Sequence, residues 1–235
     1  TVEIRTRGSE DVKPYIQELE FEKIHVDFPP EFEEIRQLLK AIYDKKVQEL
    51  RNRKVIFPPI TKVSLLLTQQ RLFISIKNGN KNPNSLAAVS VCSQAIKLGH
   101  ALELLETQTL NSFTTYMQTV FQQAKEGKSR GVQRLASDPA FIKAYTLATT
   151  TSMEHPKLIK LIEIMSNKLQ SNPKAKTLIF AQYRDTVAKI VNALNKIPGV
   201  LAKTFVGQAK KGTKEGGNAT GLNQKEQNSI SRLFF

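Results

Sequence analysis

Glu31-Phe-Glu-Glu-Ile-Arg-Gln-Leu-Leu-Lys-Ala-Ile-Tyr-Asp-Lys-Lys-Val-Gln-Glu-Leu50 sets the character of the chain. Phe32, Ile35, Leu38, Leu39, Ile42, Val47 and Leu50 recur every three or four residues, the spacing of one apolar face of an α-helix. Arg36, Lys40, Lys45 and Lys46 fall off that face. Pro29-Pro30 precede the pattern, and Phe57-Pro58-Pro59 stop it.

Working outward, the helical period dominates the next hundred residues. Lys62 to Ile76 is a helix candidate, and Asn78-Gly79-Asn80 with Pro83 reads as a loop. Ser85 to Leu105 is rich in Ala and Leu and apolar enough to be buried. Leu110, Phe113, Tyr116, Met117, Val120, Phe121 and Ala124 form a further apolar face. A basic, glycine-containing break runs from Lys125 to Gly131. Asp138 then reads as an N-cap with Pro139 at the first helical position. Residues 31–150 are therefore expected to form a helical domain. Before it, Glu18 to Pro29 alternates apolar and charged residues at period two, the pattern of a half-buried strand.

After Thr149-Thr150-Thr151 the pattern changes. His155-Pro156 opens an amphipathic helix carrying Leu158, Leu161, Ile162, Met165 and Leu169. Thr177-Leu178-Ile179-Phe180-Ala181 is a short continuous apolar run of the kind found in parallel strands buried on both faces. A helix over Thr186–Leu194 and a second apolar run, Val200 to Val206, complete a strand-helix-strand unit. The expected fold class is an α-helical insert followed by a partial α/β domain with parallel strands. A glycine- and lysine-rich loop, 207–221, leads to a last helix with Asn223 as its N-cap and Glu226 three residues on.

The formal net charge is +14, an excess that points to a polyanionic partner, nucleic acid first. The single cysteine, Cys92, excludes an internal disulfide and a cysteine-built metal site and fits a reducing compartment, cytoplasmic or nuclear. No apolar run approaches bilayer length. The chain contains no G-x-x-x-x-G-K-[ST] loop, H-E-x-x-H or G-x-S-x-G pattern. Glu33-Glu34 read as a solvated helix face, Cys92 as a packed residue, and His25 and His100 as structural. His155 reads as the residue that starts a helix.

Ligands of parallel sheets gather at the carboxyl ends of strands. Gln182, Tyr183 and Arg184 lie at one such end, and Gly207 and Gln208, with Lys210 and Lys211 just beyond, at the other. Backbone amides, an arginine and lysines on one edge suit a phosphate backbone. The competing reading is that Asp185 and Thr186 cap a helix and Gly207 allows a turn.

The ordered succession His155-Pro156-Lys157-Leu158, Thr177 to Thr186, Phe205-Val206-Gly207-Gln208-Ala209 and Gly221 to Gln227 resembles the second RecA-like domain of the archaeal Hef helicase and its FANCM relatives. It is more distantly similar to the RIG-I-like and Dicer helicases. Asp11 to Tyr15 and Pro29 to Phe32 resemble the region before the Hef helical insert. The resemblance implies an extended segment (1–30) leading from a first motor domain, a thumb-like helical insert (31–150) and part of a second RecA-like domain (151–235). It implies that Phe180 to Asp185 form motif IV, whose loop meets a nucleic-acid backbone, and that Gly207 and Gln208 belong to the next contacting segment. Free amides at Asn223 and Gln224 would meet a phosphate.

The same resemblance places the ATP-binding Walker A loop and D-E-x-[HD] box before Thr1 and motifs V and VI after Phe235. ATP and Mg are thus expected in the intact parent and neither in this part, which is expected to be catalytically inactive alone. The expected function is nucleic-acid binding within an ATP-dependent DNA helicase or translocase acting on forked or branched DNA, with RNA also open as a partner. Further phosphate-contact candidates are Lys125, Lys128, Arg130 and Arg134, then Lys45, Lys46, Arg51, Arg53 and Lys54, and Lys214. An RNA-sensing or RNA-processing helicase, or an insert that mainly docks proteins, are the alternative readings.

Overall fold

The computed structural model describes residues 5–6, 8–15, 20–127, 129–207, 222 and 224–234. Among these the regular structure is helical throughout. A short 3-10 turn, Lys13–Tyr15, comes first. The helices α1 (Pro30–Asn52), α2 (Lys62–Lys77), α3 (Pro83–Thr107), α4 (Leu110–Lys125), α5 (Arg130–Ala136) and α6 (Pro139–Thr150) come next, and after them α7 (Pro156–Ser171), α8 (Arg184–Leu194) and α9 (Gln224–Phe234).

The helix starts are written in local chemistry. The Thr61 hydroxyl accepts the Ser64 N–H at 3.1 Å while Ser64 Oγ accepts the Thr61 N–H, a reciprocal capping box. Asn82 Oδ1 accepts from Ser85 N–H at 2.7 Å, and Asp138 Oδ1 from Ala140 N–H at 2.9 Å. At the end of α1, Val55 N–H donates to Leu50 carbonyl and Lys54 N–H to Arg51 carbonyl, the paired bonds of a Schellman cap. That cap needs a left-handed residue, and Lys54 occupies it at φ 57° where glycine is usual.

The expected stripe of α1 points into the protein. Phe32, Ile35, Leu39 and Ile42 join Leu98 and Leu105 of α3, Phe113 and Met117 of α4, Leu135 of α5 and Phe141 of α6 in the main core. Each fully buried side chain of this size stabilises by roughly 1.5–3 kcal/mol. A smaller core joins Leu50 and Ile56 to Leu65 and Leu72 of α2 and Val91 and Cys92 of α3. Gly131 permits the closest approach between α3 and α5, since a Cβ there would stand 2.8 Å from Ser90 O and 3.0 Å from Ser90 Oγ.

The bundle is tied to α7 and α8 through the corner between α3 and α4. His155, buried and N-capping α7, accepts Lys157 N–H on Nδ1, so Nε2 carries the proton and donates to Leu105 O at 3.1 Å. Its ring packs edge-on against Phe28 and Phe32. Thr186 of α8 donates its hydroxyl to the buried Gln108 Oε1. Lys157 Nζ donates to Glu106 O at 2.8 Å.

The expected strands are the main correction. Residues 20–29, 176–181 and 200–206 are neither helical nor paired in a ladder among the described residues. A strand exists only by hydrogen bonding to a neighbour, and apolar periodicity supplies none. The faces expected to be buried are open instead: Phe180 is 90% exposed and Leu201 77%. His25, expected within a strand, lies exposed in this unpaired segment. The helix read from Thr186 begins at Arg184, and the Asn223 cap lies outside the described residues.

Candidate nucleic-acid interface

Two of the sequence-derived sites are brought partly into view. Tyr183 is the residue before α8 and leans against the main core, its side chain making no cap bond. Arg184 opens α8, and its guanidinium donates to Gly207 O at 3.2 Å, so the two expected strand-end segments meet through this bond. Gln182 is exposed and lines a mostly apolar groove of about 450 Å³ with Ile24, Leu161, Ile179, Phe180 and Ile190. Gln208, Lys210, Lys211, Lys214 and Lys128 lie outside the described residues. Asp185 does not cap α8 but sits exposed in its first turn, and Thr186 is spent on Gln108.

The turn between α4 and α5 offers a cleaner cationic surface. α5 turns Gly131, Val132 and Leu135 inward. Arg130 and Arg134, four residues apart, therefore share its outer face. Both are exposed, as is Lys125 at the end of α4, and none of the three has a carboxylate partner among the described residues. Elsewhere many cations are neutralised: Arg36 by Glu33, Lys40 by Asp44, Arg53 by Glu49, Lys62 by Glu103, Lys143 by Glu34 and Lys189 by Glu154. Of the cluster at the end of α1, Arg53 is thus occupied, also donating to Asn84, while Lys45, Arg51 and Lys54 are exposed without such partners among the described residues.

The remaining titratable groups behave as structure. Burial pushes the Cys92 thiol up to about 11, and its Sγ lies 3.3 Å from Leu65 O. Burial lowers the His155 pKa, consistent with a neutral ring between two hydrogen bonds. His100 stacks edge-on against Tyr116 and faces Glu103. Among the described residues no cluster of His, Cys, Asp and Glu could hold a metal ion, and no helix is long and apolar enough to cross a membrane. Nothing in the residue pattern signals the Gln108–Thr186 bond or the Arg184–Gly207 bond, because both join segments far apart in the chain.

The helical bundle is that of a helicase. Residues 31–155 match the family described as "Putative ATP-dependent RNA helicase, helical bundle", and the chain belongs to this group of superfamily 2 helicases. A putative ATP-dependent RNA helicase of Methanocaldococcus jannaschii is 35% identical over 96% of this chain and 27% of its own length. The DEAD-box ATP-dependent DNA helicase Fancm of Drosophila melanogaster is 25% identical over 99% of this chain and 17% of its own. The crystal structure of the Pyrococcus furiosus Hef helicase domain superposes with a TM-score of 0.80 at 33% identity, over 98% of this chain and 46% of that one. The chain spans about a quarter or less of the length of these two curated relatives.

Proposed function

We propose that this chain is the nucleic-acid grip of an ATP-dependent helicase or translocase that acts on forked or branched DNA. The observation that carries the reading is the exposed cationic face of Lys125, Arg130 and Arg134, which have no carboxylate partner among the described residues, in a protein of net charge +14. Cations without carboxylate partners release condensed counterions when they meet phosphates, and that release drives association. Arg184 and Gly207, joined at the mouth of α8, and Gln182 beside them form the second proposed contact, continuing into Gln208, Lys210 and Lys211 by sequence, while Lys128 goes by sequence with the first.

The domain reading goes with it: 1–30 as the lead from a first motor domain, 31–150 as the insert and 151–235 as part of a second, RecA-like α/β domain. The likeness to the Hef helicase domain extends over 98% of the chain, past the bundle, and so supports that reading. ATP and Mg belong, on this proposal, to the intact parent. The chain's sequence holds no G-x-x-x-x-G-K-[ST] loop, and on this proposal ATP hydrolysis rests with the intact parent.

The name of the Methanocaldococcus relative favours RNA as a second reading. Both are tested by measuring the affinity of the purified chain for forked DNA, linear duplex DNA and double-stranded RNA of equal length. Preference for the fork supports the proposal. Preference for RNA moves the assignment to the second reading, and no salt-sensitive binding to any of the three overturns both.

A further inference from the structure

α2 carries apolar residues on two opposite sides but packs on only one. Leu65, Thr68 and Leu72 face the smaller core. At 100° per residue, Val63, Leu66, Leu67 and Ile74 lie together on the opposite side around the exposed Gln70, with Phe73 at its edge. All five are between 46% and 65% exposed. An apolar helix face is normally covered, and clustered large apolar side chains left on a surface mark an interaction site. Beside Leu67 the patch dips into a cavity of about 190 Å³ lined by Phe57, Val55, Thr68 and Arg71. A cavity of about 150 Å³ already admits a benzene ring, so this one has room for an aliphatic or aromatic anchor.

The charge around the patch says what kind of partner fits. Between Glu49 and Glu103 the chain carries eight Lys or Arg and no Asp or Glu. Arg71 and Lys77 of α2 flank the stripe, and neither has a carboxylate partner among the described residues. A second copy of the chain would bring the same cations together, which like-charge repulsion opposes. Nucleic acid would satisfy the cations and leave five apolar side chains against phosphate. An amphipathic helix with acidic flanks satisfies both, its apolar residues at i, i+3, i+4 and i+7 lying along the stripe.

We infer that the outer face of α2 is a docking site for an acidic amphipathic helix of a partner protein, separate from the proposed nucleic-acid face at α4–α5. The test uses the full chain and a fluorescein-labelled peptide of three heptads, with leucine at the a and d positions and glutamate on both flanks. Two controls are a peptide of the same composition in scrambled order and one with lysine replacing glutamate. The patterned acidic peptide is expected to bind at least tenfold more tightly than either control. The L66D/I74D variant, whose changes are exposed, is expected to lose at least tenfold in peptide affinity with its circular dichroism unchanged. Arg71→Glu, which leaves the apolar stripe intact, should lose several-fold. Equal binding of patterned and scrambled peptides would overturn the inference, as would unchanged affinity in both variants. A dimer of the wild-type chain that L66D/I74D abolishes would assign the face to a second copy instead. Displacement of the peptide by forked DNA, with equal loss of DNA affinity in the variant, would assign it to nucleic acid.

Discussion

Gly131→Ala is the sharpest probe of how the bundle holds its cationic face. The new methyl group would stand 2.8 Å from the Ser90 carbonyl oxygen, 3.0 Å from Ser90 Oγ and 3.4 Å from Ser90 Cα. The nearest atom is backbone of α3, within a long helix, and cannot rotate away. Forcing an extra carbon into a packed contact costs about 1–3 kcal/mol. Alanine in place of glycine in a helix recovers at most about 1 kcal/mol. With a backbone atom at 2.8 Å the packing cost belongs in the upper part of that range, about 2–3 kcal/mol, so the net expectation is a destabilisation of about 1–2 kcal/mol, a fall in Tm of roughly 2–8 °C for a domain of this size. Far-UV circular dichroism melts of the full chain measure it. Ser90→Ala in the same background should rescue little, because it removes Oγ and leaves the closer carbonyl in place. A Gly131→Ala chain that melts at or above the parent temperature would refute the close approach of α3 and α5. So would full rescue by Ser90→Ala.

Lys54→Gly should raise stability by about 1 kcal/mol, because glycine occupies the left-handed position at φ 57° without the Cβ clash. An unchanged or lower Tm would count against the Schellman cap. His155 supplies a pH test. Its pKa is lowered by burial, so the unfolded chain binds a proton before the folded one does. The stability it contributes is complete above the unfolded value of about 6.5 and is lost as pH falls from there through the lowered folded value. His155→Asn keeps an N-capping oxygen and cannot titrate. It should lower Tm at pH 7.5, through loss of the Leu105 bond and the ring contacts with Phe28 and Phe32, yet flatten the fall in Tm between pH 7 and 5. An equally steep fall in the variant would show that His155 does not set the pH dependence.

What could be read in the sequence was whatever a single segment decides for itself. The stripe of α1, the Asp138-Pro139 start of α6 and the capping role of His155 are local, and each is found where its residues demand it. The Thr61 box and the Asn82 cap obey the same chemistry. Burial of Cys92 also follows from its position in an apolar helix. Strands are another matter. Thr177 to Ala181 has the composition of a buried parallel strand, but a ladder requires a second segment at the right distance, and no pattern within the run supplies it. The candidate site divides in the same way. Arg130 and Arg134 share a face because α5 begins at Arg130, inside the stretch that reads as a glycine-containing break, so their common exposure was not legible beforehand. The neutralisation of Arg53 by Glu49 is an i, i+4 pair and equally local, whereas the bond of Arg53 to Asn84 and the engagement of Arg184 with Gly207 depend on how the folded chain places them. The α2 face shows a further limit: an apolar helix gives no sign in sequence of which sides will be covered.

The central claim, that the α4–α5 face grips a phosphate backbone, is tested most directly by the salt dependence of binding to forked DNA. Each phosphate contact contributes a slope of about 0.9 in log affinity against log salt. The parent chain should lose affinity steeply between about 50 and 200 mM salt. The triple variant Lys125→Ala, Arg130→Ala, Arg134→Ala, with its melt unchanged, should bind more weakly with a slope flatter by about 2 to 3. A triple variant with the parent's affinity and slope would contradict the claim.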